Sequence, residues 1–150
     1  MYLGFDILAR IFPHSLGIKE TGLLFHTVSD QGNVLQPRGL FIPLWGNSQE
    51  LFEAINNGAV AAIWEHGQPI PAYRPNHFPL FITTNLGQDV IRLMNEYSQI
   101  LKQEDERETM SNFLFINDQL LNEKLKTYDK AELYSEMLPL AQTLMDLRRG

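Results

Sequence analysis

The chain contains no cysteine in 150 residues, which removes disulfides, thiolate nucleophiles, iron–sulfur clusters and thiolate zinc sites together. Nothing in that inventory calls for an oxidising compartment, so a cytoplasmic setting is expected. Positive charge is also scarce. Twelve Lys and Arg stand against 18 Asp and Glu, a net charge of −6, and Arg148-Arg149 is only a pair at the very end. Such a surface repels phosphate backbones and anionic headgroups, so neither nucleic acid nor a membrane is an expected partner. No apolar run approaches the roughly 20 residues of a bilayer span. The stretch from Met1 to Phe12 is interrupted by Asp6 and Arg10, and it has neither a basic leader nor a small-residue cleavage site.

Recognisable catalytic constellations are missing too. Gly17-Ile18-Lys19-Glu20-Thr21-Gly22 has the glycine spacing that opens a phosphate-binding loop, but Leu23-Leu24 stand where Lys and Ser/Thr would reach phosphate and magnesium. That segment reads as a turn. His14, His26, His66 and His77 never pair at three or four residues' separation, so no helix presents two imidazoles to a metal. No serine sits in a nucleophile elbow, and Glu50, Glu53 and Glu65 are spaced as a solvated face. No metal, no cofactor and no enzymatic activity are expected.

What is present suits an α/β domain. The first 101 residues hold seven of the eight prolines and nine of the ten glycines, spaced as turns between short apolar runs. Phe5, Leu8 and Phe12, widened by Ile7 and Ile11, predict a helix over Tyr2 to Ile11, stopped by Pro13. Leu23 to Val28 and Leu40 to Leu44 read as strands, with Pro43 pointing to an edge or a bulge. Asn47 and Glu50 have the spacing of a helix cap before Leu51, Phe52 and Ile55, and Gly58 supplies the stop. Ala59 to Trp64 is a continuous apolar run suited to a strand covered on both faces. Leu80-Phe81-Ile82 is a further strand, and Val90, Leu93, Met94, Tyr97 and Leu101 form one face of the helix after it.

The chain divides near residue 102. The first 101 residues carry 13 charges and the last 49 carry 17, so 102–150 is expected to be a helical extension on an α/β domain spanning 1–101. Leu133, Met137, Leu140, Leu144 and Leu147 step by four, three, four and three, and Pro139 inside that seam calls for a kink or a restart. Ile116, Leu120, Leu125 and Tyr128 offer a facing stripe, so a helical hairpin is expected. It would either cover the sheet or mediate a homodimer or a contact with another protein.

Three runs carry a family resemblance: Asp30-Gln31-Gly32-Asn33-Val34, Gly39-Leu40-Phe41-Ile42-Pro43-Leu44-Trp45-Gly46, and Phe52-Glu53-Ala54-Ile55-Asn56-Asn57-Gly58-Ala59-Val60-Ala61-Ala62-Ile63. In order and character they resemble the N-terminal domain of the Mur ligases, where D-S-R precedes a G-x-L-F-V-A-L-x-G strand, a D-G-H loop and F-I-x-x-A-x-x-x-G-A-x-A-x-V. The resemblance implies a mixed sheet of short strands with flanking helices that binds the UDP part of a muramyl-peptide precursor. The chain departs from the family in three places. Gln31 and Gly32 replace the Ser and Arg of D-S-R, the loop between Gly46 and Phe52 is shortened without its D-G-H, and no ATPase motif follows Lys102. The expectation is a non-catalytic binding or regulatory protein on a Mur-ligase-like module. The alternative is a binder of UDP-sugar or UDP-muramyl-peptide precursors through Ser29, Asp30, Trp45 and Asn47, since an aromatic face beside a helix start can hold a base or an anion.

Overall fold

The computed structural model describes residues 1–44, 50–75, 77–103, 110–115 and 128–149, with side chains from 135 to 148 in the last segment. Elements follow in the order β1 (Leu3–Gly4), α1 (Phe5–Ile11), β2 (His14–Leu16), β3 (Leu24–Phe25), β4 (Thr27–Ser29), β5 (Gly39–Phe41), α2 (Glu50–Asn56), β6 (Ala59–Glu65), β7 (Leu80–Thr83), α3 (Leu86–Gln103), β8 (Asn112–Leu114) and α4 (Tyr128–Arg149). The main sheet has the order β2-β7-β6-β5-β4-β8, and β1 pairs with β3 in a separate ribbon. Strands β7, β6, β5, β4 and β8 run parallel, while β2 closes one edge antiparallel to β7. The fold is therefore mixed α/β, with a mostly parallel sheet.

Alternation along the strands sends side chains to two apolar layers. Val28, Leu40, Ala61, Ile63, Phe81 and Phe113 join Phe5 and Leu8 of α1, Val90, Leu93, Met94, Tyr97 and Leu101 of α3, and Met137, Ala141 and Leu144 of α4 in the larger one. On the opposite face Phe41, Ala62, Trp64 and Leu80 pack with Leu51 and Ala54 of α2. Covering both faces is what makes β6 an almost unbroken apolar run.

The α3 stripe expected from the sequence is fully buried. Its start is fixed by Asn85, whose Oδ1 accepts from the Gln88 N–H at 3.3 Å, and by Thr83, whose hydroxyl accepts from the Asn85 N–H at 3.0 Å and donates to Asp89 at 2.5 Å. Gly58, at φ +112°, ends α2 in the left-handed conformation that favours glycine.

Several sequence expectations are corrected. Helix α1 begins at Phe5, because Leu3–Gly4 pair with β3. The run Leu23 to Val28 is two strands in two sheets, broken at His26, whose N–H donates to Arg38 O while its carbonyl accepts from Asn112 N–H. Strand β5 is interior and ends before Pro43, so that proline marks neither an edge nor a bulge within it. The extension is not helical throughout: Asn112–Leu114 form the edge strand beside β4. Three residues hold too little pattern to show a period, and only their neighbours make them a strand. Helix α4 runs through Pro139 without a restart. From Met137 on its seam faces inward, with Met137 and Leu144 buried and Leu140 and Leu147 partly buried against the larger layer, while the side chain of Leu133 lies outside the described residues. Ile116, Leu120 and Leu125, expected on the hairpin's other helix, lie outside the described residues.

Candidate functional site

Strands β4, β5 and β8 end level, at Ser29, Phe41 and Leu114, while β6 and β7 run on to Glu65 and Thr83, and the chain order reverses between β4 and β8. From β4 the strands advance one place at a time through β5, β6 and β7, and the chain then returns to place β8 on the other side of β4. The connections after β4 and β8 therefore leave in different directions. In open α/β sheets such a reversal opens a crevice at the strand carboxyl ends, where ligands bind.

Ser29 and Asp30 stand at that place, at the end of β4, and both are fully buried. The Ser29 hydroxyl accepts from the Gln31 N–H at 3.0 Å, and its proton faces the carbonyls of Gln31 at 3.0 Å and of Leu114, in β8, at 3.2 Å. It thus ties the two strands together across the reversal. The Ser29 carbonyl accepts from the Ile42 N–H at 2.8 Å, which links the same point to the end of β5.

The turn beyond is braced from α2. Gly32 N–H donates to the Glu50 carboxylate at 3.4 Å, and Asn57 Nδ2 donates to the Gly32 carbonyl at 2.8 Å. A Cβ at position 32 would lie 2.3 Å from the Glu50 carbonyl oxygen. The first turn of α2 therefore occupies the space that a side chain at position 32 would need. No side chain fits there without displacing α2.

Gln36, fully buried, completes the loop. Its Nε2 donates to Gln31 O at 2.8 Å and more weakly to Val34 O at 3.4 Å, while Oε1 has no hydrogen-bond partner. Sequence reasoning missed this residue, because glutamine is ordinarily a surface residue and no pattern marks a buried one.

Of the four residues expected to bind a ligand, Ser29 ends β4, Asp30 follows it, and both are buried. Trp45 and Asn47 lie outside the described residues, in the segment between Leu44 and Glu50. Phe52 of α2 and Tyr73 of the loop after β6 meet edge to face, with ring centroids 5.4 Å apart. Burial raises the Tyr73 phenol above its ordinary value, partly opposed by a hydrogen bond with the Phe52 backbone.

The histidines are dispersed: His14 lies on edge strand β2, His26 stacks on Tyr2 at 4.2 Å, and the His66 N–H donates to Thr83 O. Among the described residues no three His, Asp or Glu side chains could hold a metal ion, and no helix is long and apolar enough to cross a membrane. What the structure shows at this place is a buried, hydrogen-bonded turn fastened to β8 and to α2. No protein-family model matches the chain, and no curated protein matches it.

Proposed function

We propose that the chain is a non-catalytic binding or regulatory protein built on a Mur-ligase-like module, with its ligand at the carboxyl edge of β4, β5 and β8. The observation that carries this reading is the braced reversal point. Ser29 ties β4 to β8 and the Gly32 turn is fastened to both ends of α2, which makes a pre-formed floor of the kind that binding sites use. The Ser29 hydroxyl, the nucleophile type nearest that floor, is buried among three backbone partners and has no free proton to give up. That arrangement favours holding a ligand over transforming one.

A second reading names the ligand as a UDP-sugar or UDP-muramyl-peptide precursor. It is favoured by the position of Ser29 and Asp30 at the strand ends where nucleotides bind in parallel sheets. Thermal unfolding in the presence of UDP, UDP-N-acetylglucosamine and a UDP-muramyl peptide tests it. A ligand at about one hundred times its Kd stabilises the native state by about 2.7 kcal/mol, which raises the midpoint by roughly 5–10 °C in a chain of this size. A saturable rise that disappears in Trp45→Ala and Asn47→Ala is the expected result for a precursor site. No shift at millimolar ligand rules out the precursor reading, and conversion of any of these ligands to product would overturn the non-catalytic one.

A further inference from the structure

Helix α2 buries Leu51 and Ala54 and leaves Phe52, Glu53 and Asn56 outward. A large aromatic ring on the outer side of a short helix contributes nothing to the core, yet Phe52 is 53% exposed and touches Tyr73, itself 44% exposed. The two rings stand at 81° to each other, and the Tyr73 phenol is held by the Phe52 backbone. The result is an ordered corner of two rings open to solvent.

Its charge is one-sided. Helix α2 carries Glu50 and Glu53 and no Lys or Arg. The Glu50 carboxylate is engaged with Gly32 N–H, whereas Glu53 is exposed. The loop's own cation, Arg74, turns back on its loop and donates to the Phe78 carbonyl at 2.8 Å. The corner thus combines π faces with an exposed carboxylate, and one guanidinium nitrogen of Arg74 is directed to its own loop.

We propose that the outer surface of α2 and the adjoining loop at Tyr73 is a docking site for a cationic segment of a protein partner, whose Arg or Lys side chain packs on the Phe52–Tyr73 corner beside Glu53. A guanidinium or ammonium is attracted by the ring quadrupole, and the flanking carboxylate satisfies its outer donors. A second copy of the chain fits worse, because a two-fold axis through this patch sets Glu53 near its own copy. The proposal is independent of which small molecule occupies the carboxyl edge, and its failure would leave that reading untouched.

The test is chemical-shift mapping of the full chain with a capped octapeptide of alternating Gly and Arg, at about 0.15 M salt to screen unspecific attraction. The expected shifts centre on Phe52, Glu53 and Tyr73, and a Gly-Glu octapeptide produces none. Phe52→Leu and Tyr73→Leu keep apolar bulk at exposed positions and lose the ring. Each is expected to weaken binding about ten-fold while the chain stays folded, its melting temperature lowered by a few degrees at most as the ring pair is lost, and Glu53→Gln is expected to weaken binding about three-fold. Shifts centred elsewhere, or unaltered affinity in both leucine variants, would overturn the proposal. So would the same resonances responding to protein concentration without peptide, which would assign the patch to a second copy.

Discussion

A methyl group at position 32 would meet the Glu50 carbonyl oxygen at 2.3 Å, a contact that only movement of α2 relieves. Gly32→Ala is therefore expected to lower stability by about 1–3 kcal/mol, the usual cost of overpacking, read as a lower urea midpoint. Tyr97 is the deepest polar anchor: its hydroxyl donates to Met1 O at 2.5 Å and accepts from the Ser111 N–H at 3.0 Å. Tyr97→Phe keeps the ring and orphans both groups, so a loss of about 1–3 kcal/mol is expected in the same measurement. Tyr73 gives a pH signature. Burial holds its folded-state pKa above the ordinary 10.0, so the native state favours the neutral phenol. The stability this contributes is fully present below pH 10 and is lost as pH rises through the higher folded value. The contribution is small because the ring is 44% exposed and solvent screens it. The difference in phenolate absorbance between the wild-type chain and Tyr73→Phe is expected to have its midpoint above pH 10.

Helix α4 separates packing from backbone propensity. Leu144, 2% exposed, sits where α4 meets the body, and Leu144→Ala is expected to cost about 2–5 kcal/mol. Pro139 is exposed within the same helix, where proline costs about 3 kcal/mol relative to alanine. Part of that is offset because proline also restricts the unfolded chain. Pro139→Ala is thus expected to stabilise the protein by about 1–2 kcal/mol, seen as a higher denaturant midpoint and more helical circular dichroism. The longer elements were legible in the sequence because α3 repeats its apolar stripe long enough to show a period and β6 is an apolar run long enough to stand out. Strands β2 and β8, at three residues each, were not, since their pairing partners define them. The site was legible only in part for the same reason. The family resemblance pointed to Ser29 and Asp30, but Leu114, the partner that holds the Ser29 hydroxyl, and Glu50 and Asn57, which brace the turn at Gly32, arrive from distant parts of the chain.

Those distant arrivals decide how the whole molecule behaves. The charge shift near residue 102 suggests a boundary, yet the sheet passes across it. Strand β8 lies against β4, the Ser111 hydroxyl accepts from the Leu3 N–H at 2.9 Å and donates to Phe25 O, and α4 packs on α3. Residues 110–115 and 135–148 therefore seal the larger apolar layer and satisfy backbone groups of the first ribbon, work that nothing within 1–101 can replace. A chain cut after Leu101 would expose Val28, Tyr97 and Leu101, each fully buried in the intact molecule, and would leave the Leu3 N–H and Phe25 carbonyl without Ser111. The full chain is expected to unfold in one cooperative transition. The 1–101 fragment is expected to lose its near-ultraviolet circular dichroism, bind a hydrophobic dye and melt without a sharp midpoint. A sharp, dye-free transition in the fragment would show instead that the first 101 residues fold as a unit and that the later strand and helix are an addition to it.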